Sequence, residues 1–378
     1  MGNPAHPGVQ LTACVCLLAS VTAQPLAETP AASTSSSLDG AAVLRIMPHS
    51  NDVQQSNFGS NSFTITNTGQ KDIAEVVIDV TTSLYPDAVF DPEGLAGDSV
   101  AKPLNLDTRG QTGVLDIGGR GGSAYLGPGG ATGYDGLRLV FDPNAEGGFN
   151  PGETVGFSID MDPNSIAGTN KGPLDNGTHP WWDVGGVSGA ELIGSRFTVT
   201  FADGSTATGQ LHSTATQAGS HALASQASPN LALYVSANGL GPGGVGTYTH
   251  ERNRVILRGP AGHTARVVVT HGFIQPVTAY NDALRRQLDT LANASFPANN
   301  AVGFQTVDVR LTGDNQDIAA RLRFTGVPGY DFTARSNHPF SIDHDKLPVG
   351  IVAAIVDPDN EHLPIGPVTP PIYLTLEP

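Results

Sequence analysis

The sequence predicts an all-β fold, built as two β-sandwich domains in tandem with one short helix in the second. Three observations lead there. The 378 residues include 46 Gly and 28 Pro, and only 14% are charged. Long helices tolerate glycine and proline badly, whereas short strands joined by Gly/Pro turns suit this composition. Two blocks of the chain alternate apolar and polar residues with period two, the pattern of a half-buried strand. Between the blocks, residues 213–229 have no strand period and few bulky side chains, and read as a linker. The length suffices for two cores, since one domain usually takes about 100–200 residues.

The chain opens with an apolar run, Leu11 to Ala23, ending in the small-residue sequence Val21-Thr22-Ala23. That matches the core and cleavage site of a secretory signal, so residues 1–23 are expected to direct export. The preceding MGNPAHPGVQ carries no Lys or Arg, where a signal normally has positive charge. Leu11-Thr12-Ala13-Cys14 also fits a lipobox, which would make the product periplasmic or lipid-anchored rather than free. Residues 24–40, rich in Ser, Thr, Ala and Pro, read as a flexible linker. Cys14 and Cys16 are the only cysteines. A disulfide scaffold, a thiolate zinc site and a cysteine nucleophile are therefore excluded from the body of the chain.

The first sandwich is expected over residues 41–212. VLRIMP opens it, and SFTITN follows with Phe63 and Ile65 on one face. AEVVIDVTT places Val76, Ile78 and Val80 together, and GLRLVFD adds another strand. In FSIDMD, Phe157, Ile159 and Met161 are predicted inward, with Ser158, Asp160 and Asp162 toward solvent. RFTVTF and STATGQL flank Asp203-Gly204, a strong hairpin signal because glycine takes positive φ at little cost. Gly118 to Gly122 and Gly127 to Gly130 lack the strand–Gly–helix context of a phosphate loop and read as turns.

The second domain is expected over residues 230–378, from LALYVS, NRVILRG, TARVVVTH, FQTVDVRLT, IAARLRFTG, GIVAAIVD and PIYLTLE. Strands at this spacing suggest a sandwich of immunoglobulin-like type. Its one helix is capped by Asn281 and carries a Leu284, Leu288, Leu291 stripe, which serves packing.

NSFTITNTG (Asn61 to Gly69), GETVGFSIDMD (Gly152 to Asp162) and Gly186 to Leu211 resemble a module of large secreted bacterial proteins. RGPAGHTARVVVTHGF (Arg258 to Phe273) and Ala353 to Leu374 resemble the immunoglobulin-like module that tends to follow it. Such tandem modules occur beside malectin-like and laminin-G-like sugar-binding domains. The resemblance therefore implies an extracellular, accessory and carbohydrate-related role, and it carries over no catalytic residue.

The formal net charge of −16 argues against nucleic acid as a partner, because phosphate binding needs clustered Lys and Arg. No apolar run in the body of the chain approaches the roughly 20 residues of a membrane span. Trp181 and Trp182, the only tryptophans, stand side by side in a polar loop. An exposed indole can stack on the C–H face of a sugar ring, and these two are the candidate ligand contacts; the alternative is that one plugs the end of the sandwich and the other lies against the neighbouring module. Asp160, Asp162 and Asn164, with Asp142 ending a neighbouring strand, form a candidate Ca2+ site of oxygen ligands, against the plainer reading of a polar turn. This is not an EF-hand, since Ser165 and Lys171 occupy its glycine and bidentate-acid positions.

Asp343, His344 and Asp345, and then Asp357, Asp359, Asn360, Glu361 and His362, flank GIVAAIV at opposite ends and read as solvated loops. No G-x-S-x-G elbow and no H-E-x-x-H motif occurs. His250-Glu251 and His271 read as polar strand-end residues, and Asn176 and Asn293 begin formal glycosylation sequons. The expected function is a secreted, non-catalytic binding or adhesion protein with a glycan or cell-surface polymer as partner. The alternatives are an extracellular polysaccharide-active hydrolase or lyase, which needs two carboxylates about 5–9.5 Å apart, and a ligand-free spacer.

Overall fold

The computed structural model describes residues 39–47, 58–84, 88–96, 101–119, 123–163, 187, 189, 191–214, 219–226, 231–249, 252–271, 303–322 and 349–376. The expected signal segment, most of the 24–40 linker and the Leu284–Leu291 helix lie outside them. Within them the chain is all-β. Helix is confined, among the described residues, to single 3-10 turns at Gly130–Thr132 and Ala319–Arg321. None of the described helical segments is long and apolar enough to cross a membrane.

In chain order the strands are β1 (Ala41–Ile46), β2 (Phe63–Asn67), β3 (Ile73–Asp79), β4 (Ala88–Phe90), β5 (Asn105–Thr108), β6 (Tyr125–Leu126), β7 (Gly136–Val140) and β8 (Thr154–Ser158). Next come β9 (Met161–Pro163), β10 (Arg196–Phe201), β11 (Thr206–Gln210), β12 (His212–Ser213), β13 (Ser220–Ser225), β14 (Tyr234–Ala237) and β15 (Val245–Tyr248). The last are β16 (Val255–Arg258), β17 (Thr264–His271), β18 (Gly303–Arg310), β19 (Gln316–Asp317), β20 (Val349–Asp357), β21 (Leu363–Pro364) and β22 (Ile372–Leu376).

Two sheets, in the orders β12-β13-β1-β2-β8-β5 and β11-β10-β3-β7-β6, supply one hydrophobic core. Leu44, Ile65, Val155 and Phe157 from the first meet Val76, Ile78, Leu139, Phe197 and Val199 from the second. The alternation of SFTITN and AEVVIDV thus produces what it predicts, an apolar face covered by another sheet. Phe63 and Phe157 are cross-strand partners in antiparallel register, and their rings stack at 5.0 Å. Such a pair adds about 0.5–1.5 kcal/mol beyond the area it buries.

A second core is formed by the sheets β14-β16-β19 and β15-β22-β20-β17-β18. Val267, Val269, Ile351, Ala353, Ile355 and Ile372 face Val235, Val255 and Leu257 across it. One pairing departs from the antiparallel pattern, since β15 runs parallel to β22. Val268, Val352, Ala354 and Val356 occupy the opposite face of β17 and β20, outside that core, and are buried as well. A sheet buried on both faces needs a continuous apolar run, which GIVAAIV is.

Two expectations are corrected. Residues 213–229 are not a free linker, because β13 lies inside them and pairs along its whole length with β1, from Ala41 opposite Ser225 to Ile46 opposite Ser220. Apart from His221 its buried side chains, Ser220, Ala222, Ala224 and Ser225, are small, so it lacks the bulky apolar period by which strands are recognised. Ile318 to Leu322, the described part of IAARLRF, does not form a strand. The Asp317 carboxylate accepts the Ala319 N–H at 3.1 Å, and the backbone turns into the 3-10 segment.

The hairpin at Asp203-Gly204 forms as expected between β10 and β11, with Gly204 at φ 80 and Asp203 Oδ1 accepting the Ser205 N–H at 2.9 Å. A Cβ at Gly204 would meet nothing within 4 Å, so Gly204→Ala incurs only the left-handed backbone cost, about 1–2 kcal/mol. At Gly209, where the two sheets of the first core converge, a Cβ would lie 2.2 Å from the Leu223 carbonyl oxygen. Gly209→Ala is expected to destabilise the protein more than Gly204→Ala in urea unfolding, although its own backbone is an ordinary strand.

Candidate functional site

Trp181, Trp182 and Asn164 lie outside the described residues, as do Asp343, His344, Asp345, His250, Glu251, Asn176 and Asn293. Asp142 follows β7 in a turn, where its Oδ1 accepts the Asn144 N–H at 2.8 Å. The expectation that Asp160 and Asp162 face solvent is overturned, for they are 6% and 1% exposed. Alternation puts them on the opposite face from Ile159 and Met161 but does not decide what covers that face. Here β4 pairs with β9, placing Val89 opposite Asp162, and the Asp160 N–H donates to Lys102 O at 3.0 Å. Among the described residues, no three His, Cys, Asp or Glu side chains come together as a metal-holding group. His271 ends β17 opposite Val349 and Gly303, in keeping with a strand-end residue.

A group of buried polar residues and a cleft lie where the two cores meet. There β12, β13 and the end of β11 pack against the outer face of β17 and β20 and against the turn at 357–362. Arg266, on that face of β17, has a side chain only 5% exposed. Its Nε and Nη2 donate to the Asp308 carboxylate of β18 at 2.8 and 2.9 Å, a bidentate pair between directly opposed residues. Nη1 reaches across the seam to Thr214 O at 2.9 Å. Burial disfavours the charge on Asp308, but the Arg266 guanidinium outweighs it and holds the carboxyl below its ordinary range.

Two histidines complete the seam. His212 and His221 are paired residues of β12 and β13, and both are fully buried. His212 Nε2 lies 3.1 Å from Arg266 O, and His221 Nε2 lies 3.1 Å from His362 O. A carbonyl oxygen only accepts, so each imidazole carries its proton on Nε2. Burial pushes His212 down to about 3 and His221 down to about 4, and both are neutral near pH 7. The turn expected as a solvated loop thus takes part in the seam. Glu361 pairs with Arg45 of β1 at 3.2 Å, and His362 Nε2 lies 3.1 Å from Asp308 Oδ2. Glu361 and His362 both adopt positive φ, 50 and 61, the strained conformation that presents them to the seam.

Beside this network the seam opens into a cleft of about 360 Å3. Leu84 and Ile193 wall it from the first core, and Val245, Val352, Val368 and Pro371 from the second. Gln210 bridges its floor, accepting the Val368 N–H at 3.2 Å and donating to Gly194 O at 3.3 Å. The Tyr373 hydroxyl donates to Leu84 O at 3.0 Å, and burial raises this phenol well above its ordinary value. Apolar walls with a few fixed hydroxyls and amides suit noncovalent retention of a ligand.

His212, His221, Arg266 and Asp308 were not singled out by sequence. The available signal was SHALAS, a period-two pattern in small residues within a stretch whose composition resembles a linker. Arg266→Met keeps the stem but removes the bidentate donor of Asp308 and the donor to the Ser213 and Thr214 carbonyls. Removing one partner of a buried pair costs about 3–5 kcal/mol, and because Asp308 is about a third exposed we expect roughly 2–3 in denaturant unfolding. No family model, curated protein or solved structure matches the chain.

Proposed function

We propose that the chain is a secreted, non-catalytic binding or adhesion protein of two immunoglobulin-like β-sandwich domains, associated with carbohydrate through Trp181 and Trp182. The observation that carries this reading is how the segment holding the two indoles is tethered. Residues 164–186 leave from β9, whose Met161 is buried in the first core, and return at Val187, which is buried in the same core. A polar segment whose flanking residues are both buried in one core is held at its two ends, so that the core fixes where the segment begins and ends. Adjacent tryptophans in such a segment offer flat apolar faces matched to pyranose rings. The tandem resemblance to modules of secreted bacterial proteins gives the same direction.

The test is a glycan array with the full chain and its Trp181→Ala, Trp182→Ala double variant. Stacking contributes on the order of 1 kcal/mol per ring, so we expect at least a tenfold loss of affinity with an unchanged melting temperature. Undiminished binding by the double variant would remove the proposed contact. Failure of the unmodified chain to bind any glycan would favour a ligand-free spacer.

A further inference from the structure

The seam places neutral imidazoles in a position that admits only one protonation state. His212 and His221 each donate from Nε2 to a backbone carbonyl. Among the described residues, Nδ1 of each is buried with no hydrogen-bond partner. A proton added at Nδ1 would create an imidazolium whose second donor faces no acceptor. The charges around the pair are already balanced. Arg266 and Asp308 face His212 across the seam, while His221 has Arg45 beside it as its cross-strand partner on β1 and Arg266 and Glu361 across the seam. The two guanidiniums are matched by the two carboxylates, with Arg266 on Asp308 and Arg45 on Glu361. His362 adds its carbonyl to His221 and its imidazole to Asp308. Any further proton is therefore an uncompensated charge beside two fixed cations.

From this geometry we infer that the seam is a proton-operated clasp: neutral His212 and His221 hold the two cores together, and their protonation in a mildly acidic environment loosens the packing of β12 and β13 against β17 and the 357–362 turn. The hydrogen bonds lost are those that cross at this end of the seam, His212 to Arg266 O, His221 to His362 O and Arg266 Nη1 to Thr214 O. Strands remote from the seam, such as β2 and β8, keep their ladders, while β12 and β13, at one end of their sheet, fray once the packing over them is lost. Mild acid thus acts on the seam before it acts on either core.

The direction follows from linkage. Burial lowers both histidines in the closed seam, to about 3 and about 4, beneath the value of about 6.5 for a solvated imidazole. The open state binds the protons, so the stabilisation is complete above about pH 6.5 and is lost as the pH falls toward the closed-state values. Between pH 7 and pH 5 each histidine shifts the closed-to-open ratio by roughly 25-fold toward open, and the pair by several hundred-fold.

Backbone hydrogen exchange on the full chain, corrected for intrinsic rates, should show this between pH 7 and 5. Residues 212–226 and 357–364 are expected to lose protection while β2 and β8 retain it. A His212→Gln, His221→Gln double variant keeps a side-chain N–H donor but cannot titrate, and its pH response should be flat. Unchanged protection in the unmodified protein, or a variant as acid-sensitive as its parent, would overturn the inference. Should the variant not fold, imidazole C2–H exchange in the unmodified protein decides: midpoints well below 6.5 for His212 and His221 support the clasp, and midpoints near 6.5 defeat it.

Discussion

A guanidinium that is 5% exposed must find acceptors inside the protein, and much of the seam follows from how Arg266 does so. Asp308, directly opposite on β18, neutralises it and fixes its plane through two parallel hydrogen bonds. That leaves Nη1 aimed away from its own sheet, toward the first core. The carbonyl it meets there belongs to Thr214, so the chain leaving β12 has to run across the outer face of β17. The neighbouring His212 then returns a hydrogen bond to the Arg266 carbonyl. One buried cation thereby constrains the path of the segment between β11 and β13.

This explains which parts of the structure were legible in the sequence. Strands with one covered face, such as SFTITN and RFTVTF, alternate bulky apolar with polar residues, and the alternation stands out. The Asp203-Gly204 turn was equally plain because its geometry demands a residue at ease with positive φ. Val349 to Val356 carried a further message. An unbroken apolar run in an antiparallel sheet means that the second face is covered too, and the first core covers it here. The segment 213–229 concealed β13 because Ser220, Ala222 and Ala224 are small enough to let two sheets converge, and small residues register weakly as hydrophobic.

The candidate site was less legible for a different reason. Alternation assigns Asp160 and Asp162 to a face but does not say whether water lies there, and both side chains are buried. Likewise, Asp357 to His362 looks like an ordinary acidic turn. Nothing local announces that Glu361 and His362 take up left-handed conformations, which cost about 1–2 kcal/mol each. Strain of that kind persists only when longer-range contacts over-determine it. The contacts are Arg45 on Glu361 and His221 on the His362 carbonyl, both from residues far away in sequence.

The seam has two chemically different ends, and they contribute in different ways. The end lined by Val352, Val368 and Leu84 is held mainly by apolar contact, which is strong per unit area but non-directional, with the Gln210 and Tyr373 hydrogen bonds added to it. The end built on Arg266 and the histidines gains less net energy, because desolvating a charge and two imidazoles offsets much of what the hydrogen bonds return. Its hydrogen bonds do have direction, and those that cross the seam from Arg266, His212 and His221 join a side chain of one core to a backbone carbonyl of the other. Sliding the cores by a single residue would break all of them together. Apolar burial supplies the adhesion between the cores, and the polar network selects one register from those that adhesion alone would permit.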